Sequence, residues 1–207
     1  MCYEAIGGSR SYGLELPDSD ADLLRVETGP RFAMEGGYNV IRATLAELHD
    51  WLRGRADNAY YLQWLFPAEV HSDTILTRWL QGNREEIVRA QLPYIYRVFS
   101  GHADRLFPHS DWLYPARPKR LAYCTLFYSV AANYAEGMSF AEAHRPGGKL
   151  HDTLLSMRQG GIPLADAMAR CSAERERAGR AAGFYQRPVD EVVLLEMDHI
   201  FRAEEGT

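Results

Sequence analysis

Cysteine is scarce in this chain. Its 207 residues hold only Cys2, Cys124 and Cys171, odd in number and far apart, which excludes a disulfide framework and any Cys-x-x-Cys zinc site and points to a reducing, cytoplasmic setting. A basic excess is also missing. Lys plus Arg number 23 against 28 Asp plus Glu, a formal balance of -5, so the chain lacks the general positive charge of an electrostatic nucleic-acid binder, while a local basic groove stays open. No apolar run approaches the ~20 residues that span a bilayer, and Met1-Cys2-Tyr3-Glu4 is not a charged leader before an apolar stretch. The expectation is a soluble, unexported protein with no membrane partner. The histidines (His49, His71, His102, His109, His144, His151, His199) form no His-x-x-His or His-x-x-x-His pair, and internal repeats and low-complexity segments are absent. What the chain does have is 46% apolar and 12% aromatic residues, enough for a real core in one domain or two small lobes.

The first 43 residues differ in texture from the rest. Short apolar runs cut by glycine predict three strands, over Tyr3–Ile6, Ala21–Val26 and Tyr38–Arg42. From Thr44 the spacing turns helical. Thr44 and Glu47 form a capping box, and Leu45, Leu48, Trp51 and Leu52 mark one buried face. Further helices are predicted over Ala59–Leu65, Asp73–Leu80 and Asn83 to about Ala103. Phe107 to Pro118 holds three prolines and reads as a loop or linker. Helices follow over Lys119–Glu136 with an apolar, aromatic face (Leu121, Leu126, Phe127, Val130, Tyr134), after a second capping box at Ser139 and Glu142, over Leu150–Arg158 up to Gly160-Gly161, over Leu164–Ala182 and over Val189–Arg202. The expected class is α+β, a small mixed β-sheet lobe followed by a helical C-terminal lobe, with the boundary between residues 106 and 107.

Chemistry concentrates in Gly7-Gly8-Ser9-Arg10-Ser11-Tyr12-Gly13-Leu14, followed by Pro17-Asp18-Ser19-Asp20-Ala21-Asp22. If Ala21–Val26 is a strand, Asp20 and Asp22 share a face, roughly 6–7 Å apart at Cα, and can converge on one hard cation. Mg²⁺ takes one or two protein carboxylates and completes its shell with water and phosphate oxygens. Gly7-Gly8 permits close backbone approach, and a serine opening a short helix offers N–H groups and a hydroxyl to an anion. The plainer alternative is ordinary turn chemistry, since Pro-Asp-Ser-Asp is a good turn and Asp-rich loops are usually solvated.

Gly8-Ser9-Arg10-Ser11-Tyr12-Gly13-Leu14 with Pro17-Asp18-Ser19-Asp20-Ala21-Asp22 resembles the Gly-Ser…Asp-x-Asp signature of the DNA polymerase β-like nucleotidyltransferase superfamily. The Ser-Tyr-Gly-Leu and Pro-Asp-Ser-Asp details are most similar to the predicted nucleotidyltransferase branch associated with RNA ligases. Thr44 to Pro67, Pro118-Lys119 and Leu155 to Gly160 extend the likeness to about three quarters of the chain, firm over 7–26 and weaker afterwards. The resemblance implies a Mg²⁺-dependent (or Mn²⁺-dependent) transfer of a nucleoside monophosphate from a triphosphate, ATP by family tendency, to a hydroxyl on an RNA end, a protein or a small molecule. It assigns the β and γ phosphates to Gly8 and Ser9 and the metal to Asp20 and Asp22. The third carboxylate of the superfamily falls at Asn39, or on another alignment at Glu35. An amide can coordinate Mg²⁺ but carries no charge and cannot act as a base.

Arg10 lies within the cradle. Lys119 and Arg120 open a helix that faces the nucleotide in the resembling family, with a solvated helix start as the alternative, and Tyr123 shares a face with Lys119, as a base-stacking ring or as core. Arg158 can reach phosphate or favour a helix C-terminus. Ser9 lacks the Gly-x-Ser-x-Gly elbow of a hydrolase, the tryptophans read as core, and Arg170–Arg180 interleaves with Glu174 and Glu176 as a salt-bridged helix face. Asn39 also leaves open a catalytically degenerate nucleotide-binding or partner-binding module. A helical interaction protein without a nucleotide site is the third reading.

Overall fold

The computed structural model describes residues 2–56, 59–107 and 117–205; most of the expected Phe107–Pro118 linker, with Trp112, lies outside the described residues. Among these the chain is α+β, with eight α-helices and a five-stranded mixed sheet. Two compact units divide it. The first comprises Met1–Ala56, Tyr60–Gln91 and Val189–Thr207, and the second comprises Asp57–Ala59 and Leu92–Pro188. The contacts therefore divide elsewhere than at the expected boundary between 106 and 107. The helices expected over Asp73–Leu80 and Asn83–Ala103 are α2 (Ile75–Ala90) and α3 (Leu92–Leu106), with the break at Gln91 rather than between Leu80 and Asn83, and α3 belongs to the second unit. Gln91 leaves the helical region with φ -115° and ψ 31°, and Pro93 has no N–H to give to the carbonyl of Arg89, so the apolar spacing continues through a real break.

In the first unit, strands β1 (Tyr3–Ile6), β2 (Ala21–Val26), β3 (Phe32–Glu35), β4 (Tyr38–Ala43) and β5 (Glu69–Val70) lie in the order β3-β4-β2-β1-β5. Only β2 and β4 pair in parallel. The three expected strands are present; β3 and the two-residue β5 are additions. Gly36 and Gly37, at φ 56° and 85°, form a two-residue loop between Glu35 and Tyr38, the backbone twist that a tight antiparallel hairpin requires. Arg42 on β4 ties down the connection from β2. Its guanidinium donates to Glu27, to the Pro30 carbonyl and to Glu35, while Arg25 of β2 bonds Glu4 and Glu35. This charged face also carries a small apolar cluster of Ile6, Leu23 and Val40.

Period-two alternation sends Tyr3, Ala5, Leu24, Val26 and Ala43 to the other face, where all are buried. Helix α1 (Leu45–Asp50) follows β4 with the expected capping box, Thr44 accepting from the Glu47 N–H and the Glu47 carboxylate accepting from Thr44 N–H. A wider turn, Trp51–Arg55, continues it, and the helix expected over Ala59–Leu65 is a 3-10 helix, Ala59–Trp64. Tyr3 donates to the Trp64 carbonyl at 2.5 Å with its ring 5.6 Å from the indole. The C-terminal helix α8 (Glu191–Glu205) returns to pack on α1 and α2, where Glu204 accepts from the Leu76 N–H and Asp198 meets His49 at 2.7 Å.

The second unit holds α3, α4 (Pro118–Ala135), α5 (Phe140–His144), α6 (Gly148–Gln159), α7 (Leu164–Ala181) and a 3-10 turn, Ala182–Tyr185. Pro118 starts α4 at a position where a missing N–H costs nothing. One buried face was expected of this helix; instead every residue from Leu121 to Asn133 is buried, with α3, α5, α6 and α7 packed around it. Small residues (Ala122, Cys124, Ser129, Ala131, Ala132) alternate with large ones and allow neighbours to approach on all sides. Among the described residues no helix is long and apolar enough to cross a membrane.

The Glu47 carboxyl is held below its ordinary 4.5, first by the Thr44 backbone N–H and then by Arg31. A depressed folded value means that its stabilisation is complete above that ordinary value and fades as the pH falls through the lower one. Thr44→Ala should therefore lower stability in urea by about 1 kcal/mol at neutral pH. The difference between the native chain and Glu47→Ala should narrow as pH falls from about 5 to about 3; a constant gap would exclude the charged cap.

Candidate functional site

Immediately after β1 the chain turns across the sheet. Gly7 N–H donates to the Asp22 carbonyl at 2.9 Å, and Gly8–Arg10 forms a 3-10 turn, extended by bonds from Ser11 N to Gly8 O, Gly13 N to Arg10 O and Leu14 N to Ser9 O. Tyr12 and Leu14 are buried and anchor the turn, with the Tyr12 ring 6.5 Å from Tyr60. Gly8 sits at φ 64°, and a Cβ there would fall 1.8 Å from Asp22 Oδ2. The turn thus lies directly against the Asp22 carboxylate, an approach that any side chain at position 8 would prevent. On its other side the Gly8 N–H donates to Gln63 Oε1 at 2.7 Å.

Asp22 is the second residue of β2 and is half-buried. The parallel register pairs it with Asn39, the second residue of β4, whose Nδ2 donates to Asp22 Oδ1 at 3.3 Å. Asp20 stands exposed just ahead of β2, after a Leu16–Ser19 turn closed by Ser19 N to Leu16 O and by Leu16 N to Ser19 Oγ. Asp22 and Asn39 therefore meet where strand ends face a glycine turn, with Asp20 two residues earlier in the chain. Glu35 does not join them. It pairs with Tyr38 on the opposite sheet face and is bound by Arg42 and Arg25; Arg42 above all holds its carboxyl below the usual carboxylate range. Asn39, rather than Glu35, is the residue beside Asp22.

The donor set is all oxygen, which suits a hard divalent cation that keeps water and substrate oxygens in its shell. Among the described residues no group of three or more His, Cys, Asp or Glu side chains is arranged to hold a metal. Asp20 and Asp22 are the residues that could hold Mg²⁺, with the Asn39 oxygen available only if its amide turns from the hydrogen bond it now donates. Ser9 is buried and Arg10 exposed within the turn. The Ser11 hydroxyl, 2% exposed, has no hydrogen-bond partner among the described residues.

The remaining expected residues lie in the second unit. Lys119 is exposed in the first turn of α4 and Arg120 is half-buried. Tyr123 is buried, its ring 6.1 Å from Phe127 and 6.0 Å from the Arg158 guanidinium, so of its two expected roles the structure gives it core packing rather than base stacking. Gln63 was not foreseen as a site residue. The available signal was a single amide inside the apolar run Leu62-Gln63-Trp64-Leu65, buried to 5% exposure.

Gly8→Ala should destabilise the first unit in urea by clearly more than Gly36→Ala. Gly36, also left-handed at φ 56° but with nothing within 4 Å, carries only the backbone strain of about 1–2 kcal/mol. Equal losses would show that the contact with Asp22 does not matter. Compared with known proteins, the chain matches no family model, no curated protein and no solved structure.

Proposed function

We propose that the first unit is a nucleotidyltransferase lobe, transferring a nucleoside monophosphate from a nucleoside triphosphate, ATP by family tendency, to a hydroxyl acceptor. The observation that carries this reading is the wedging of Asp22 between the Gly8 turn and Asn39, with Asp20 two residues away along the same strand edge. In this proposal Asp20 and Asp22 hold Mg²⁺ or Mn²⁺, which when bound supplies charge neutralisation and polarisation at the reacting phosphate. Gly8 contributes room rather than a donor, because its N–H is already given to Gln63. In this reading Arg10, exposed next along the turn, takes phosphate oxygens together with the neighbouring Ser9, and Gln63 fixes the turn that carries them. The chain's own contribution is positioning and charge. The exposed acidic residues Glu15, Asp18 and Asp20 around the turn disfavour a long polyanionic acceptor and leave a short RNA end, a protein hydroxyl or a small molecule.

Asn39 supports a second reading. Its amide donates to the very carboxylate that the chemistry needs and takes no proton, which fits a module that binds nucleotide with little or no turnover.

Asp20→Ala and Asp22→Ala should each weaken Mg²⁺-dependent triphosphate binding by about tenfold or more, measured by calorimetry, a loss of about 1.4 kcal/mol or more. Unchanged binding in both would remove the site. Asn39→Asp should raise pyrophosphate release from labelled triphosphates with candidate acceptors; binding without release in both forms favours the binding module.

A further inference from the structure

The second unit brings together two cysteines that lie 47 residues apart in sequence. Cys124 on α4 and Cys171 on α7 are fully buried, with their sulfurs 3.1 Å apart, about 1 Å short of the ~2.05 Å bond between them. Cys124 Sγ also reaches the Ala103 carbonyl of α3 at 3.3 Å. One helical turn further along, the same helices present Tyr128 and Arg175, which share the helix faces of Cys124 and Cys171 by their spacing of four. Both meet Asp104 of α3. Tyr128 donates to Asp104 Oδ1 at 2.5 Å, and Arg175 Nη2 lies 3.0 Å from the same oxygen. The Arg175 and Asp104 side chains are 48% and 46% exposed, so a solvent-reached polar cluster lies one turn from the buried sulfurs.

The two thiols differ in acidity. Sharing a hydrogen with Cys171, together with burial, pushes the Cys124 thiol up, whereas the hydrogen bond from Cys124 lowers that of Cys171 against the burial that raises it. With Cys171 Sγ accepting the hydrogen that the two sulfurs share, Cys171 is the sulfur oxidised first and Cys124 stands against it to resolve the product.

We infer that Cys124 and Cys171 form a redox-modifiable dithiol, which hydrogen peroxide converts into a disulfide joining α4 to α7. The Cys171 thiolate attacks one peroxide oxygen, the O–O bond breaks, and a sulfenic acid forms on Cys171. The hydroxide released takes up a proton as water. The Cys124 sulfur, losing its proton, then attacks the Cys171 sulfur; the S–S bond forms, the S–O bond breaks, and a second water leaves. Two thiols lose two electrons in all and one peroxide is reduced to two waters. The bridge closes a long loop and so stabilises the second unit against unfolding.

The full chain supplies its own control, because Cys2 lies in the first unit, half-buried, its thiol donating to the Val26 carbonyl. The test is graded hydrogen peroxide on the full-length protein, followed by alkylation after denaturation, intact mass and peptide mapping. The expected result is loss of two of the three thiols, a mass decrease of two hydrogens, one cross-linked peptide pair joining Cys124 to Cys171, a raised thermal midpoint and full reversal by dithiothreitol. Cys2→Ser should retain all of these. Cys171→Ser should lose the mass decrease and the cross-linked pair. The peptide map of the native chain stands even if that variant fails to fold. Modification confined to Cys2, cross-links only through Cys2, or oxygen added at Cys124 or Cys171 without a bridge would each overturn the inference.

Discussion

Parallel pairing of β2 with β4 is the constraint on which the first unit depends. Parallel neighbours cannot be joined by a tight turn, so the chain must travel back before β4 begins. It does so through β3 and the Gly36-Gly37 hairpin, and Arg42 clasps the route at its start, middle and end through Glu27, Pro30 and Glu35. The same register sets Asn39 beside Asp22 and turns Glu35 to the other face. An antiparallel pairing of β2 and β4 would run Asn39 away from the strand end where Asp20 and the glycine turn lie. The charged face, the hairpin and the candidate site are consequences of one pairing.

The second unit rests on a different device. Its central helix is buried all round, so a one-sided apolar stripe is not what holds it. Small residues let α3, α6 and α7 close on α4, and side chains from α7 and the turn after it bond to its last turns. Arg177 reaches Asn133 at 2.6 Å while also binding Glu136 and Glu174, and Tyr185 donates to the Ala131 carbonyl at 2.7 Å. The close approach of α4 and α7 is also what brings two distant sulfurs into contact, so the dithiol is a product of packing density rather than of any cysteine spacing.

Much of the local structure was legible from residue chemistry. Thr44 with Glu47 and Ser139 with Glu142 are both capping boxes, because a hydroxyl and a carboxylate three residues apart satisfy helix N–H groups with no help from the rest of the molecule. Gly160 closes α6 in the left-handed conformation for an equally local reason. The misreadings have a common origin. The break expected between Leu80 and Asn83 lies within α2, where packing outweighs weak local preference, whereas the real break at Gln91 is hidden inside continuous apolar spacing. For α4, the sequence showed a helix but not that all its sides were covered, since that depends on what surrounds it.

By itself, then, the sequence determined where hydrogen-bonding side chains end helices, which runs alternate as strands, and that a glycine turn and an Asp-x-Asp edge lie within one short segment. These follow from contacts between residues a few positions apart. Only the tertiary structure decided that Asp22 sits between Gly8 and Asn39, that Gln63 braces the turn from more than fifty residues away, that Glu35 is committed to arginines, and that Cys124 meets Cys171. Each of these is a long-range contact, set by strand register and helix packing, and residue order alone carries no record of which distant surfaces will close on each other.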